Sequence, residues 1–334
     1  MTITFPHIQG IEGDDLPYYM RLFGADPDDL PEDIWFVPVN DHYNRHGPEW
    51  YPWAVENAAK SRVVVFYDAE NSGDWFHPQF VKFITEFPHN NKVYLTSNFS
   101  KRFAIPGVRI ITWDFDWNRV KAYYTETIPQ GIFLHHYGKK HRYTLTTLGA
   151  SPTKKFLSLC GQAFNHRAKL YDVVKDRTDG YVSNRAAGRT LEDQNPCHTE
   201  EVWGYTPVPN FFYEDSCLSV FVESTCVCED LIHLSEKTIE PSMKGHFVLP
   251  FSNPGFVERV SDLGFKFPDF IDYSYDRELN VDRRFDMFVA EFSRLITDVD
   301  LFTMHAQHRE LFEYNRQCLY DIPYDKSILE IFNV

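Results

Sequence analysis

The sequence predicts an α/β protein of two domains, each built on a parallel sheet, facing one another across a cleft. Three observations carry this. Short apolar runs alternate with helical or polar stretches along the whole chain. These runs are continuous rather than alternating, as expected for strands covered on both faces. The length of 334 residues exceeds the usual size of one domain. Composition agrees, because 43% hydrophobic and 24% charged residues are an ordinary globular balance, and 29 Phe with 19 Tyr can bury a large core, which excludes disorder for most of the chain.

The elements follow in order. Residues 1–60 are rich in Pro, Asp and Trp and read as irregular, aromatic-packed structure. Arg62–Tyr67 (RVVVFY) is the first strand, Phe76–Phe87 a helix, Lys92–Thr96 (KVYLT) the second strand and Val108–Thr112 (VRIIT) the third, with Ile132–His135 as a candidate fourth. Residues 138–154 (GKKHRYTLTTLGASPTK) turn polar and small, and the domain boundary is placed there. This divides the chain into an acceptor-side domain (1–150), a second domain (151–320) and a C-terminal tail (321–334). The second series begins with Lys155–Cys160 (KFLSLC), a turn at Gly161 and Gln162, and a helix with Leu170, Val173 and Val174 on one face. Tyr181–Asn184, Leu218–Val222 and Phe247–Phe251 read as strands, and Ser235–Lys244 as a helix closed by Gly245. Asn253 is a natural helix N-cap before Pro254, with Gly264 beyond the end. The last fifty or so residues read as helical, with Phe285, Phe288, Phe292 and Leu295 at helical spacing.

Charge is unevenly distributed. The chain carries −15 overall, yet Lys139–Arg189 holds eleven Lys/Arg against three Asp, a local +8. Such a stretch is a solvated face or a site for a polyanion, from a diphosphate up to a nucleic-acid backbone. The six Cys include Cys226 and Cys228, too closely spaced for a zinc loop, and all six are read as reduced thiols. No apolar run reaches membrane-spanning length, and the N-terminus lacks the basic and apolar regions of a signal peptide, so a cytosolic protein is expected.

Two constellations point to phosphate and sugar chemistry. In KKFLSLCGQAFNHRAKLYDVV a strand runs into a turn, and Asn165, His166 and Arg167 open a helix whose N-terminal N–H groups and positive dipole end favour an anion. Arg167 adds a planar fork suited to phosphate. An ordinary solvated helix start fits these residues equally. In the stretch Cys217–Phe265, Glu223 ends a strand and Ser235, Glu236, Lys237 and Thr238 open a helix. A Glu at position 236 can accept both hydroxyls of a ribose, while Lys237 and Thr238 can reach phosphate oxygens. The plainer alternative is dipole complementation by an acidic first turn. Pro241 inside this helix implies a kink or a start later than Ser235.

The strings SEKTIEP, GHFVLPFSNPGFVERVSDLGFKFP and KFLSLCGQAFNHR resemble the donor half of phage and bacterial glycosyltransferases, whose usual form is close to TEKT-aromatic-KP, G-x-P-F, NPG and LR-x-LGF, with an opening K-F-L-x-L-N followed by H-R. The resemblance covers about residues 154–275. It is to GT-B enzymes with a fucosyltransferase-like donor domain and implies two Rossmann-like domains facing a cleft. It also implies a nucleotide-sugar co-substrate, a UDP-sugar first among candidates, with no further cofactor. Carried over residue by residue, Arg167, Glu236 and Lys237 become nucleotide-sugar contacts, joined by Asn165, Glu223 and Thr238. Two positions depart from the pattern: Gly161 stands for the usual Asn, and Glu240 for a basic residue before Pro241.

Within that reading, Asp68 and Glu70 follow the first strand and are candidates for the general base that takes the acceptor hydroxyl proton. Helix capping is the plain alternative. Trp113-Asp114-Phe115-Asp116-Trp117 contains a D-x-D, which in another architecture binds a divalent metal. The expectation here is no metal, with Trp113 as an acceptor-stacking residue. Lys139, Lys140 and Arg142, with His135, His136 and His141 nearby, are candidate acceptor contacts or a solvated basic loop. The acceptor is a glycan hydroxyl or a hydroxymethylated pyrimidine of phage DNA, flipped from its duplex. For a phage-encoded enzyme the compartment is the host cytoplasm. The alternatives are a metal-dependent transferase using Asp114 and Asp116, or a non-catalytic module binding sugar nucleotides or nucleic acid.

Overall fold

The computed structural model describes residues 34–38, 55–56, 58–68, 78–96, 98–99, 104–112, 121, 146, 151–160, 165–184, 187–189, 191, 208–223, 226–227, 232–327 and 329–330. The first half of the chain contributes β1 (Ile34–Pro38), β2 (Val63–Asp68), α1 (Pro78–Glu86), β3 (Lys92–Thr96), β4 (Asn98–Phe99) and β5 (Val108–Thr112). β1, β2, β3 and β5 form an all-parallel sheet in that order. Val63, Val64, Val65 and Phe66 are buried in it. α1 covers it through Ile84, and Phe66, Phe83 and Phe87 meet edge-to-face at 5.1–5.9 Å.

β1 corrects the irregular reading of residues 1–60. IWFVP is a five-residue apolar run paired in register with β2, from Ile34 opposite Val63 to Pro38 opposite Tyr67. It closes on a proline at the edge of the described sheet, where a missing N–H is tolerated. The candidate strand Ile132–His135 and most of the proposed boundary segment lie outside the described residues.

The second half contributes β6 (Lys154–Cys160), α2 (Asn165–Val174), β7 (Gly180–Asn184), α3 (Asn210–Glu214), β8 (Ser216–Val222), β9 (Ile232–His233), α4 (Glu236–Met243), β10 (Phe247–Phe251) and α5 (Phe256–Asp262). After a 3₁₀ turn at Ser274–Arg277 come α6 (Val281–Thr297), α7 (Leu301–Gln307) and α8 (Arg309–Asp321). The second sheet is also parallel, in the order β10-β8-β6-β7. All seven residues of β8 are buried, so the strand read from the sequence as Leu218–Val222 extends back to Ser216. α2 and α6 cover one face through Leu170, Val174, Phe285, Phe288, Phe292 and Leu295. Phe156 of β6 stands edge-on to Phe292 at 5.2 Å. A Cβ at Gly180 would lie 2.4 Å from that Phe156 ring, so β7 can start there only with glycine unless the ring moves.

Two local readings change. α4 opens at Glu236, with Ser235 as its cap and Pro241 as its sixth residue. α5 opens at Phe256 rather than Pro254, and its cap is not Asn253. The carboxylate of Asp276 accepts from the amides of Phe256 and Val257 at 3.2 and 3.0 Å. Gly255 precedes the helix at φ 82° and Gly264 follows it at φ 104°, conformations that favour glycine.

The two halves of the chain touch at several described points. β4 pairs antiparallel with β9. Buried Lys121 donates to the carbonyls of Leu319, Tyr320 and Ile322 at 2.5, 3.2 and 2.6 Å, so an ammonium sits at the negative end of α8. No helix among the described residues is long and apolar enough to cross a membrane.

Candidate functional site

The strand order of the second sheet locates a site before any side chain is considered. From β6 the chain passes through α2 to β7 on one side. From β8 it passes through α4 to β10 on the other. The two connections diverge at β6 and β8, and the carboxyl ends of strands at such a divergence are where ligands of open parallel sheets bind. Asn165–Arg167 open α2, Glu223 follows the last residue of β8, and Ser235–Thr238 cap and open α4.

Arg167 lies in the first turn of α2 and is 8% exposed. Its Nε donates to the carbonyl of Val222, the last residue of β8, at 3.1 Å. The guanidinium is thereby pinned across the point where the two connections part. Its neighbour His166 is 6% exposed and packs between the rings of Phe251 and Phe285 at 5.2 and 5.3 Å. His166 Nδ1 lies 3.4 Å from Cys226 Sγ, and Nε2 lies 3.8 Å from Asp282. Burial holds its pKa below the ordinary value, and Lys169 adds to the effect against the opposing pull of Asp282. Arg284 donates to the carbonyl of Cys226 and so clamps the loop after β8 to α6.

Glu223 follows β8 directly and is 1% exposed. Its two carboxylate oxygens accept from Ser235 Oγ at 2.7 and 2.8 Å, and Oε1 also accepts from Thr238 Oγ1 at 3.1 Å. Ser235 Oγ in turn accepts the amide of Lys237 at 3.2 Å. Each hydroxyl has one proton, and those of Ser235 and Thr238 are directed at Glu223. Lys237 is half-buried in the first turn of α4.

Of the residues singled out in the sequence, the structure brings Arg167, Glu223, Lys237 and Thr238 to this end of the second sheet. Asn165 and Glu236 have their backbones in the first turns of α2 and α4, while their side chains lie outside the described residues. Asp68 is the last residue of β2, opposite Thr96 of β3, rather than the first loop residue after it. Its side chain, and all of Glu70, Trp113, Asp114, Asp116, Lys139, Lys140 and Arg142, lie outside the described residues, as do His135, His136 and His141.

The basic segment is less available than its charge implies. Of its described cations, Lys169 pairs with Asp282, Lys175 with Asp172 and Arg177 with Asp179, each at 2.7–2.8 Å. Lys154, Lys155, Arg167 and Arg189 donate to the carbonyls of Thr178, Ile296, Val222 and Lys175. Among the described residues no three His, Cys, Asp or Glu converge as a metal site. The sequence reading missed the Cys226–His166 contact, the Arg284 clamp and the bridging role of Ser235. The one signal for the last was a carboxylate placed immediately after the strand Leu218–Val222.

No protein-family model matches the chain, and no curated protein matches it. Among solved structures, a point mutant of S. aureus TarM, in complex with Fondaparinux, alpha-GlcNAc-glycerol and UDP, overlaps it with a TM-score of 0.26 at 14% identity. The overlap covers 82% of this chain and 56% of that one, so the chain spans little more than half of the length of that structure. Similarity at this level defines neither a family nor an activity.

Proposed function

We propose that the chain is a glycosyltransferase of the GT-B type, taking a nucleotide-activated sugar in the crevice between β6 and β8. The observation that carries this is the convergence, at the divergence point of a parallel sheet, of a pinned Arg167 and of an α4 first turn tied to Glu223. The residues are those that the resemblance to fucosyltransferase-like donor domains picks out. Arg167 faces the diphosphate, Glu236 accepts the ribose hydroxyls and Lys237 lies beside them. Together with the first-turn amides of α2, the cations offset the charge that develops on the departing nucleoside diphosphate.

In an inverting course the acceptor oxygen bonds to the sugar C1 as the bond from C1 to the phosphate oxygen breaks. The acceptor proton passes to a carboxylate, Asp68 or Glu70, and the nucleoside diphosphate leaves. The co-substrate we favour is a UDP-sugar. A glycan hydroxyl is the favoured acceptor, because the described cations of the basic segment are held by carboxylates and carbonyls of the fold itself. A hydroxymethylated-DNA acceptor would rest on Lys139, Lys140 and Arg142.

A thermal-shift panel of UDP-glucose, GDP-fucose, CMP-sialic acid and ADP-glucose tests the reading. One nucleotide class is expected to raise Tm, by about 2.7 kcal/mol of added stability at a hundredfold excess over Kd. Arg167→Ala should weaken that binding by about 10- to 100-fold, the effect of one charge-assisted hydrogen-bond set, as read by calorimetry. No shift with any member, or unchanged affinity in Arg167→Ala, would remove the donor site from this crevice.

A further inference from the structure

We propose that Glu223 is a positioning residue that sets the place of the α4 first turn and does not itself touch the sugar nucleotide. This rests on the donor-site reading above. It assigns Glu223 a role that its place in the resemblance does not, since there it is a contact.

The geometry points to it in four steps. Glu223 is fixed first by its own backbone, whose N–H donates to Phe251 at the end of β10 at 2.8 Å, so the carboxylate stands between two strands. Its described side-chain partners are both hydroxyls, from Ser235 and Thr238. An amide-to-hydroxyl-to-carboxylate chain thus runs from Lys237 N–H through Ser235 to Glu223. The negative charge, bonded to the cap and third residue of α4, complements the positive end of that helix.

Next, the backbone ladder of α4 is one bond short beside its first turn. It has eight residues, and Pro241 lacks the N–H that would bond to the carbonyl of Lys237. The tether to Glu223 holds the turn through side chains, beside the amides of Thr238 and Ile239 that donate to the Ser235 carbonyl at 3.2 and 3.5 Å. Third, the hydroxyl protons of Ser235 and Thr238 are directed at Glu223, so neither is a donor to phosphate while the tether stands. On the donor-site reading, the ligand contacts of this turn then fall to Glu236 and Lys237. Finally, Glu223 is 1% exposed, and its described side-chain partners are the two hydroxyls alone. Glu223 therefore acts on the ligand only through Ser235 and Thr238.

The test uses the full chain and three readouts. Amide exchange of residues 236–239 should quicken by about 10-fold or more in Glu223→Gln, with β8 unchanged, because local opening follows the loss of the tether. Donor affinity for the tightest-binding member of the sugar-nucleotide panel should fall by about 10-fold in Glu223→Gln and equally in the Ser235→Ala/Thr238→Val pair. The triple variant should be no worse than either, since all three changes break one device. Ser235→Thr, which keeps the hydroxyl, should restore wild-type exchange and affinity. A triple variant weaker than the pair by 10-fold or more would show that Glu223 contacts the donor directly, and unchanged exchange in Glu223→Gln would show that it anchors nothing. If no panel member binds the wild type, the donor reading falls, and the exchange result alone decides the anchor. Should Glu223→Gln fail to fold, Thr238→Val and Ser235→Ala each carry the same exchange prediction.

Discussion

Acidification from pH 7 to pH 4 is expected to cost the native state about 3 kcal/mol through His246 alone. The ring is buried at the start of β10, with Nε2 2.7 Å from the Tyr213 carbonyl and Nδ1 2.8 Å from Ser219 Oγ. A carbonyl only accepts, so Nε2 carries the proton and Nδ1 accepts from Ser219. Burial, the larger cause, drives the pKa down to about 3. The native state therefore binds fewer protons than the unfolded state between about pH 3 and 6.5, and stability falls as pH falls through that window. Asp276 works in the opposite sense. Burial raises its carboxyl to about 6 against the helix amides it accepts, so its native form gains protons first and acidification favours folding by about 2 kcal/mol. The histidine is the larger of the two, and the net slope is shallow. Urea unfolding of the wild type, His246→Gln and Asp276→Asn at pH 7 and pH 4 separates them. His246→Gln should lose the acid sensitivity and Asp276→Asn should deepen it. Parallel behaviour of all three would refute the assignment.

Arg284→Ala is expected to destabilise by about 3–5 kcal/mol and to lower Tm by roughly 10 °C. Arg284 is 1% exposed and among the largest fully buried side chains. Its guanidinium donates to the carbonyls of Glu278, Leu279 and Cys226 and lies 5.4 Å from the Phe251 ring. Truncation leaves three carbonyls without a charged donor and a cavity beside β10. It also releases the loop after β8, so sugar-nucleotide affinity should fall with stability. Arg284→Lys keeps the charge without the planar fork and should lie between the two. A calorimetric Tm within about 2 °C of wild type in Arg284→Ala would contradict the clamp.

The sheets were legible because their strands are covered on both faces. VVVFY, KVYLT, KFLSLC and FVLPF each stand out as mostly apolar runs. β1 was not, because IWFVP sits between acids and prolines whose local signal is irregular, and only pairing with β2 makes it a strand. The site was half legible. The first turns at Asn165 and Glu236 follow from N-cap and strand-turn-helix patterns. The partners that fix them do not, because they are distant in sequence: Arg167 meets Val222, Glu223 meets Ser235 and Thr238, and Asp276 caps α5 in place of Asn253. Charge counting misled for the same reason. A segment of +8 reads as exposed until the fold supplies Asp282 to Lys169 and the Val222 carbonyl to Arg167.

The most direct measurement of the central claim is amide exchange of the full chain with and without a saturating sugar nucleotide from the panel. A donor seated between β6 and β8 should slow exchange in residues 165–168 and 235–239 by about 10-fold or more, leaving 92–96 and 108–112 unchanged. Protection confined to the first sheet, or none in either helix start despite calorimetric binding, would contradict the account.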